Sequence, residues 1–188
     1  MKYPYKKLVL PKALAKVENG KLDVKTLVKV KCGGVMYVDA ANKFNEMYDA
    51  AEKKGIKFKN VGDYRSAEAQ LKLFKERYRL AEDRDWKDKK KGILLDTKRV
   101  KRVYNGETWL LRNGFAPCSS PQKSNHGYGL AIDIGVMHKG KLVALASHRK
   151  ALRWLCANAP TYGFYLQSDD PKSREFEAWH WQYCGVGA

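Results

Sequence analysis

No stretch of the sequence approaches the roughly 20 apolar residues that a membrane-spanning helix requires. The N-terminal residues 1–10 contain lysines, but their apolar run is too short for the core of a signal peptide. We therefore expect a protein that is made in a cytoplasm, has no membrane span and does not use the general secretory route.

Cysteine is scarce and poorly spaced for metal binding or redox chemistry. Its four copies, Cys32, Cys118, Cys156 and Cys184, lie far apart and form no Cys-x-x-Cys pair. This argues against a structural zinc ribbon and against a thioredoxin-type centre, and buried free thiols are the expected state. Cys184 follows His180 by four residues, which makes it a weak candidate for an additional metal ligand.

Acidic residues are few relative to basic ones, 20 against 37, so the chain of 188 residues has a formal net charge of +17. Nucleic acid is one polyanion that such a surface attracts. The phosphates and carboxylates of a bacterial wall are the other, through the same long-range electrostatics. Charge alone favours nucleic acid, and only the motifs described below reverse that preference.

The length and the apolar content predict one folded domain over 1–188. Hydrophobic residues make up 44% of the chain and aromatic residues 12%, which argues against disorder. We expect 1–36, rich in lysine and broken by prolines and glycines, to be a basic N-terminal arm with one short turn or strand, packed on the domain. The dense charge run within 82–106 predicts a solvated, charged loop.

Periodicity places the elements that precede the candidate site. Apolar residues at helical spacing predict a helix over 40–51, and clean alternation predicts a strand over 56–61. Ser66 has the character of a helix N-cap, and the apolar positions after it predict a second helix that reaches Leu80. Arg65 is thereby placed at a strand-to-helix corner, from which a side chain can enter a cleft.

Three side chains form a candidate metal site. Asp133 lies in the middle of an apolar, alternating segment, where a buried carboxylate needs a cation or strong hydrogen-bond donors. His126 precedes it across a glycine-containing loop. His180 lies between Trp179 and Trp181, so in an extended segment the two tryptophans face inward and the imidazole faces a cleft.

Two histidines and one carboxylate form a three-ligand zinc set whose fourth position is open, as in catalytic sites. Glu177 lies three residues before His180, so a straight strand would place the two side chains on opposite faces. A bend between them is required if Glu177 acts beside the metal.

The same residues carry a family resemblance. Ser124 to Asp133 has the pattern Ser-x-His-x-x-Gly-x-Ala-x-Asp, and Glu177 begins the pattern Glu-x-Trp-His. A third element is Tyr64-Arg65-Ser66 with Gln70. In these motifs, which span 62–183, the chain resembles the D-Ala-D-Ala metallopeptidases, or LAS-type zinc peptidases. That family includes vancomycin-resistance dipeptidases and carboxypeptidases and the L-alanyl-D-glutamate endopeptidases of phage endolysins.

The resemblance implies an α+β fold in which a small central antiparallel sheet with flanking helices carries a zinc site in a cleft on the sheet, as in hedgehog domains and D,D-peptidases. It implies one Zn²⁺ per chain, bound by His126, Asp133 and His180. Glu177 would be the general base, and Arg65 would stabilise the oxyanion or bind a substrate carboxylate.

Three further residues receive lesser roles. Ser124, Asp63 and Gln70 are candidates for substrate contact, and Ser124 and Asp63 alternatively orient the ligands from outside the metal's coordination shell.

The implied function is zinc-dependent hydrolysis of peptidoglycan stem peptides. An L-alanyl-D-glutamate endopeptidase of the phage endolysin type is favoured slightly over a D-Ala-D-Ala carboxypeptidase. A holin pore or a place on the virion would then bring the enzyme from the host cytoplasm to the wall without an export signal.

A monomer is expected, with peptidoglycan as the partner and anionic wall polymers on the basic surface. The competing class is a zinc-containing module that binds wall or nucleic acid without catalysis. Hedgehog domains are similar in that they keep the zinc without an established peptidase role.

Overall fold

The computed structural model describes residues 1–173 and 176–186. Within these ranges the chain forms three α-helices: α1 Val38–Glu52, α2 Ala67–Arg77 and α3 Arg149–Asn158. The strands are β1 Leu27–Lys29, β2 Val35–Tyr37, β3 Lys57–Gly62, β4 Tyr78–Leu80, β5 Trp86–Asp88, β6 Ile93–Leu94, β7 Lys101–Tyr104, β8 Glu107–Leu111, β9 Ala131–His138, β10 Lys141–Ala144, β11 Phe164–Leu166 and β12 His180–Tyr183. None of the helices in the described part of the chain is long and apolar enough to span a bilayer.

Strand β9 is the centre of a five-stranded antiparallel sheet. It pairs with β3, β10 and β12, and β12 pairs in turn with β11. The apolar residues that alternate along β9, among them Ile132 and Ile134, are fully buried. The expected α+β architecture, a small antiparallel sheet with flanking helices, is confirmed.

Helix α1 covers the core side of this sheet. Phe44 and Met47, which lie at its predicted apolar spacing, have no exposed surface. The Phe44 ring lies 6.5 Å from that of Phe58 on β3 and 5.7 Å from that of Phe164 on β11. Burial of each such side chain contributes about 1.5–3 kcal/mol, so these contacts hold the strands that carry the site.

Helix α2 begins as predicted and ends earlier. The Ser66 hydroxyl accepts a hydrogen bond from the Ala69 N–H at 3.2 Å, which is the expected N-cap. The prediction that the helix reaches Leu80 is wrong, because Tyr78 turns to an extended conformation and starts β4. Pairing of β4 with β8, and stacking of Tyr78 on Phe74 at 4.7 Å, replace the last helical turn.

The segment 82–106 is not the charged loop that its composition predicts. It contains β5, β6 and β7, and β7 pairs with β8 to complete a three-stranded sheet with β4. Two hydrogen bonds of 2.7 Å join the guanidinium of Arg79 to the carboxylate of Asp85 at its start. Local charge pairing of this kind lets a charge-rich sequence form ordered turns and short strands.

The N-terminal arm is more structured than expected. In place of one turn or strand, it contains two 3₁₀ turns, Lys12–Leu14 and Val24–Thr26, together with β1 and the start of β2. Leu14 and Leu22 are buried in the main core. The arm therefore forms part of the packed surface around the site.

Candidate metal centre and active site

The three predicted metal ligands come together. His180, the first residue of β12, pairs directly with Asp133 on β9, which places both side chains on the same face of the sheet. His126 lies in the 3₁₀ turn Asn125–Tyr128, which ends just before β9. One potential ligand atom from each residue lies within 4.8 Å of the others.

A glycine in the neighbouring strand makes room for the carboxylate. Strand β3 has an irregularity between Asn60 and Gly62, and Gly62 faces Asp133. A Cβ atom at Gly62 would lie 2.6 Å from Oδ2 of Asp133, which is too close for any side chain. The local sequence of β3 thus determines where the Asp133 carboxylate can lie.

His126 is oriented from behind by a backbone carbonyl. Its Nδ1 lies 2.9 Å from the Asp63 carbonyl oxygen, which can only accept, so Nδ1 carries the proton. The other nitrogen, Nε2, then has a lone pair that faces Oδ1 of Asp133 at 3.5 Å. Two electron-rich atoms in this arrangement repel each other unless a cation lies between them, so the geometry fits a metal ion.

His180 approaches the same carboxylate oxygen. Its Nδ1 lies 3.0 Å from Oδ1 of Asp133, and its ring centroid lies 5.0 Å from that of His126. Its Nε2 is buried and has no hydrogen-bond partner among the residues that the structure describes. Because Nδ1 is the nitrogen that faces the Asp133 carboxylate, it is the nitrogen of His180 that is placed to bind a metal.

The protonation states suit ligation. Burial lowers the pKa of His126, which favours the neutral imidazole that a metal requires. For Asp133, burial alone would raise the pKa, but the interactions with His126 and His180 outweigh it and hold the pKa below its usual range. Two neutral imidazole nitrogens and one carboxylate form a donor set typical of zinc, and the cluster fits one Zn²⁺.

A cleft of about 330 Å³ opens over this cluster. Glu177 lies on its wall, because the His180 N–H bonds to the Glu177 carbonyl oxygen at 3.0 Å and closes the turn that the sequence requires. Burial, with a further contribution from nearby Asp133, raises the pKa of Glu177. Gln167 donates from Nε2 to Oε2 of Glu177 at 3.3 Å.

Arg65 also lines the cleft, and Gln70 holds it there. Nη1 of Arg65 donates to Oε1 of Gln70 at 2.8 Å, and Nε2 of Gln70 donates to the Ser119 carbonyl at 2.7 Å. Gln70 is only 2% exposed and does not line the cleft. This buried position argues against the predicted substrate contact, and the hydrogen bond from Arg65 to Gln70 restrains the guanidinium instead.

Asp63 and Ser124 differ in their position relative to the cleft. The Asp63 carboxylate accepts from the Val35 N–H at 2.6 Å and lies away from the cleft wall, while the Asp63 carbonyl orients His126. This contact is what the orienting role requires, the alternative to substrate contact that the sequence offered for Asp63. Ser124 does line the cleft, although it is only 5% exposed.

The cleft contains residues that the sequence motifs do not include. Arg77, Lys123 and Gln167 line it, and Arg77 donates from Nη1 to the Ala116 carbonyl at 3.2 Å. The sequence carries no specific signal for them, because they lie on separate segments that only the fold brings together. Trp179 also lines the cleft and is 40% exposed, so the prediction that it packs inward like Trp181 is wrong.

Comparison with known proteins identifies the family of the chain. The model of a family described as VanY, D-alanyl-D-alanine carboxypeptidase, matches residues 35–186. YodJ of Bacillus subtilis (strain 168), named as a carboxypeptidase, is 26% identical over 155 residues, which are 80% of this chain. The chain spans 46% of the length of that relative.

Two solved structures have the same fold. The vancomycin-resistance D,D-pentapeptidase VanY of a VanB-type cassette, in complex with Zn(II), aligns with a TM-score of 0.56 at 19% identity, over 98% of this chain and 87% of its own. The LD-carboxypeptidase LdcB aligns with a TM-score of 0.57 at 22% identity, over 89% of this chain and 72% of its own. With its family match extending over most of its length, the chain belongs to the VanY family of D-alanyl-D-alanine carboxypeptidases.

Proposed function

We propose that the protein is a zinc-dependent peptidase that acts on the stem peptides of bacterial peptidoglycan and removes a D-alanine from a D-Ala-D-Ala end. One observation carries this proposal: His126, Asp133 and His180 meet in a cleft that also presents Glu177 and Arg65. Family membership supports the carboxypeptidase over the L-alanyl-D-glutamate endopeptidase that the sequence slightly favours. The phage endolysin origin, the route to the wall and the monomeric state stay predictions.

The metal would be held by Nε2 of His126, Nδ1 of His180 and the carboxylate of Asp133. Zn²⁺ bound there supplies Lewis-acid chemistry, since it polarises a carbonyl group and makes water more acidic. The protein's part is to keep the imidazole of His126 neutral and the carboxylate of Asp133 charged, which the burial and contacts of these two groups achieve.

Glu177 would act as the general base. It takes a proton from the attacking water and returns it to the leaving amine, and such transfers contribute about 10²–10⁴ in rate. A base works best when its pKa lies near the operating pH, and burial moves the pKa of Glu177 in that direction. The 3.3 Å contact with Gln167 helps to orient its carboxylate.

Arg65 would provide fixed positive charge in the same cleft as this base. The bond from Nη1 to Gln70 restricts the guanidinium, and its remaining N–H groups can donate to a substrate oxygen. A planar donor fork suits either the developing oxyanion or a carboxylate. Arg77 and Lys123 add positive charge to the same cleft, which favours a substrate that ends in a free carboxylate.

Mass spectrometry of defined muropeptides tests the proposal. A pentapeptide muropeptide that ends in D-Ala-D-Ala should lose one alanine, the reaction should stop on addition of a chelator, and zinc should restore it. The matched control is Glu177→Gln, which keeps the shape of the side chain and lacks the base. Cleavage between L-alanine and D-glutamate would instead establish the endopeptidase. If the zinc-loaded chain cleaves neither bond, the proposal is refuted.

A further inference from the structure

The N-terminal arm contacts the loop that carries the metal ligand His126. The contact is made by a turn at Glu18–Gly20, here called the bracing turn, which lies outside the residues matched by the VanY family model. We propose that the bracing turn, through Asn19, is a positioning element of the metal centre. This inference rests on the proposed ligand set.

Three hydrogen bonds join the bracing turn to the loop around His126. Nδ2 of Asn19 donates to the Ser124 carbonyl at 2.8 Å, and the Gly20 N–H donates to the Gly127 carbonyl at 2.8 Å. Nε2 of Gln122 donates to Oε1 of Glu18 at 2.8 Å. The turn therefore holds the loop on both sides of the metal ligand.

The contact is also sterically close. Asn19 is 5% exposed, and its amide group occupies the space that a Cβ atom on Gly127 would need. Gly127 follows His126 directly, so the position of the Asn19 side chain limits where the ligand's backbone can lie. A buried amide with a satisfied donor is costly to displace, because its loss leaves the Ser124 carbonyl without that partner.

The same turn reaches the corner that carries Arg65. The Gly20 carbonyl accepts from the Tyr64 hydroxyl at 3.0 Å and from the Ala67 N–H at 2.9 Å, at the start of α2. The corner in turn bonds to the metal loop, since the Arg65 N–H donates to the His126 carbonyl at 3.1 Å. The bracing turn thus connects the loop that carries His126 to the segment that carries Arg65.

The consequence is a defined orientation for His126. Its Nδ1 bonds to the Asp63 carbonyl on one segment, while its backbone belongs to the loop held by Asn19. When Asn19 is lost, the loop can shift relative to Asp63, and Nε2 moves away from Asp133. Loss of groups that orient a metal ligand from outside its coordination shell typically costs about 10–100-fold in metal affinity.

Zinc affinity of the full chain, measured by competition with a chromophoric chelator, tests this directly. We expect Asn19→Ala to weaken zinc binding about 10–100-fold. Asn19→Asp keeps the side-chain shape, but its carboxylate cannot donate to the Ser124 carbonyl, so it should fail to restore affinity. The control is Asn45→Ala, because Asn45 also links backbone groups, accepting from the Lys31 N–H at 2.8 Å, and does not line the cleft.

The comparison with Asn45→Ala separates positioning from general stability. Equal zinc affinity for Asn19→Ala and Asn45→Ala, at matched losses of melting temperature, would reduce Asn19 to a residue that stabilises the fold. If Asn19→Ala does not fold, Glu18→Ala decides, because Glu18 is exposed and its loss removes the bond from Gln122 together with the surface ion pair to Lys21. Glu18→Ala should then bind zinc more weakly than Asn45→Ala, and equal affinity would overturn the proposal.

The zinc titration requires no peptide. A failure of this inference is therefore distinct from a failure of the proposed peptidase activity, since the metal can bind as described in a protein that cleaves another bond.

Discussion

Replacement of Glu177 by glutamine removes one proton acceptor from the cleft and keeps the volume of the side chain. Glu177 is not among the three side chains whose ligand atoms cluster. Glutamine can still contact Gln167, which lies 3.3 Å from the native carboxylate. The variant should therefore bind zinc as the native protein does and lose the proton transfer alone.

The size of the effect follows from that chemistry. General acid–base catalysis contributes about 10²–10⁴ in rate, which corresponds to about 3–5 kcal/mol of transition-state stabilisation. We expect kcat of Glu177→Gln to fall by this factor, with little change in KM. The native enzyme should also lose activity on the acid side, at a pH above the usual range of a glutamate, because burial raises the pKa of Glu177.

The stability of Glu177→Gln should rise, although its activity falls. The folded-state pKa of Glu177 is raised, so the folded chain binds this proton more tightly than the unfolded chain does. The stability that this proton provides is fully present below the unfolded pKa and is lost as the pH rises through the folded pKa. In metal-free protein at neutral pH, glutamine avoids that loss, and thermal denaturation should show Glu177→Gln to be the more stable form.

Steady-state kinetics with a D-Ala-D-Ala peptide, zinc analysis and metal-free melting curves form the assay. Near-native kcat in Glu177→Gln with zinc fully bound would refute the assignment of the base. Loss of zinc together with activity would show instead that Glu177 supports the metal.

Three further predictions concern the groups around the metal. Arg65→Lys keeps the charge and loses the donor fork, so kcat should fall by about 10²-fold in steady-state assays with zinc content unchanged. An equal kcat would show that the guanidinium of Arg65 has no role in catalysis. Gly62→Ala places a Cβ atom 2.6 Å from the Asp133 carboxylate and should cost about 1–3 kcal/mol in denaturant unfolding and weaken zinc binding; unchanged values would contradict this geometry. Arg77→Gln should raise KM for a peptide with a free terminal carboxylate and have less effect on its amide, and equal effects would argue against carboxylate recognition.

The metal site was predictable from sequence because its chemistry is local and rare. A carboxylate within an apolar strand needs a partner, and two histidines in motif context supply it. The bend between Glu177 and His180 also followed, since a straight strand separates their side chains. The family motifs made these inferences specific.

The supporting contacts were not predictable, because they depend on tertiary structure. Gln70 was assigned to substrate from its place in a motif, yet the fold turns its amide to Arg65 and Ser119. Asn19 lies 105 residues from Ser124 and carries no motif, so only the folded chain shows the contact. Charge density gave a loop over 82–106, where strand pairing and ion pairs in fact produce order.

The central claim is that His126, Asp133 and His180 share one zinc ion, and metal analysis of the purified full chain tests it most directly. The native protein and Asp133→Asn would be dialysed against the same zinc buffer and measured by inductively coupled plasma mass spectrometry. We predict one zinc ion per native chain and almost none in Asp133→Asn. A native chain without zinc, or an Asp133→Asn variant that retains a full equivalent, would contradict the account.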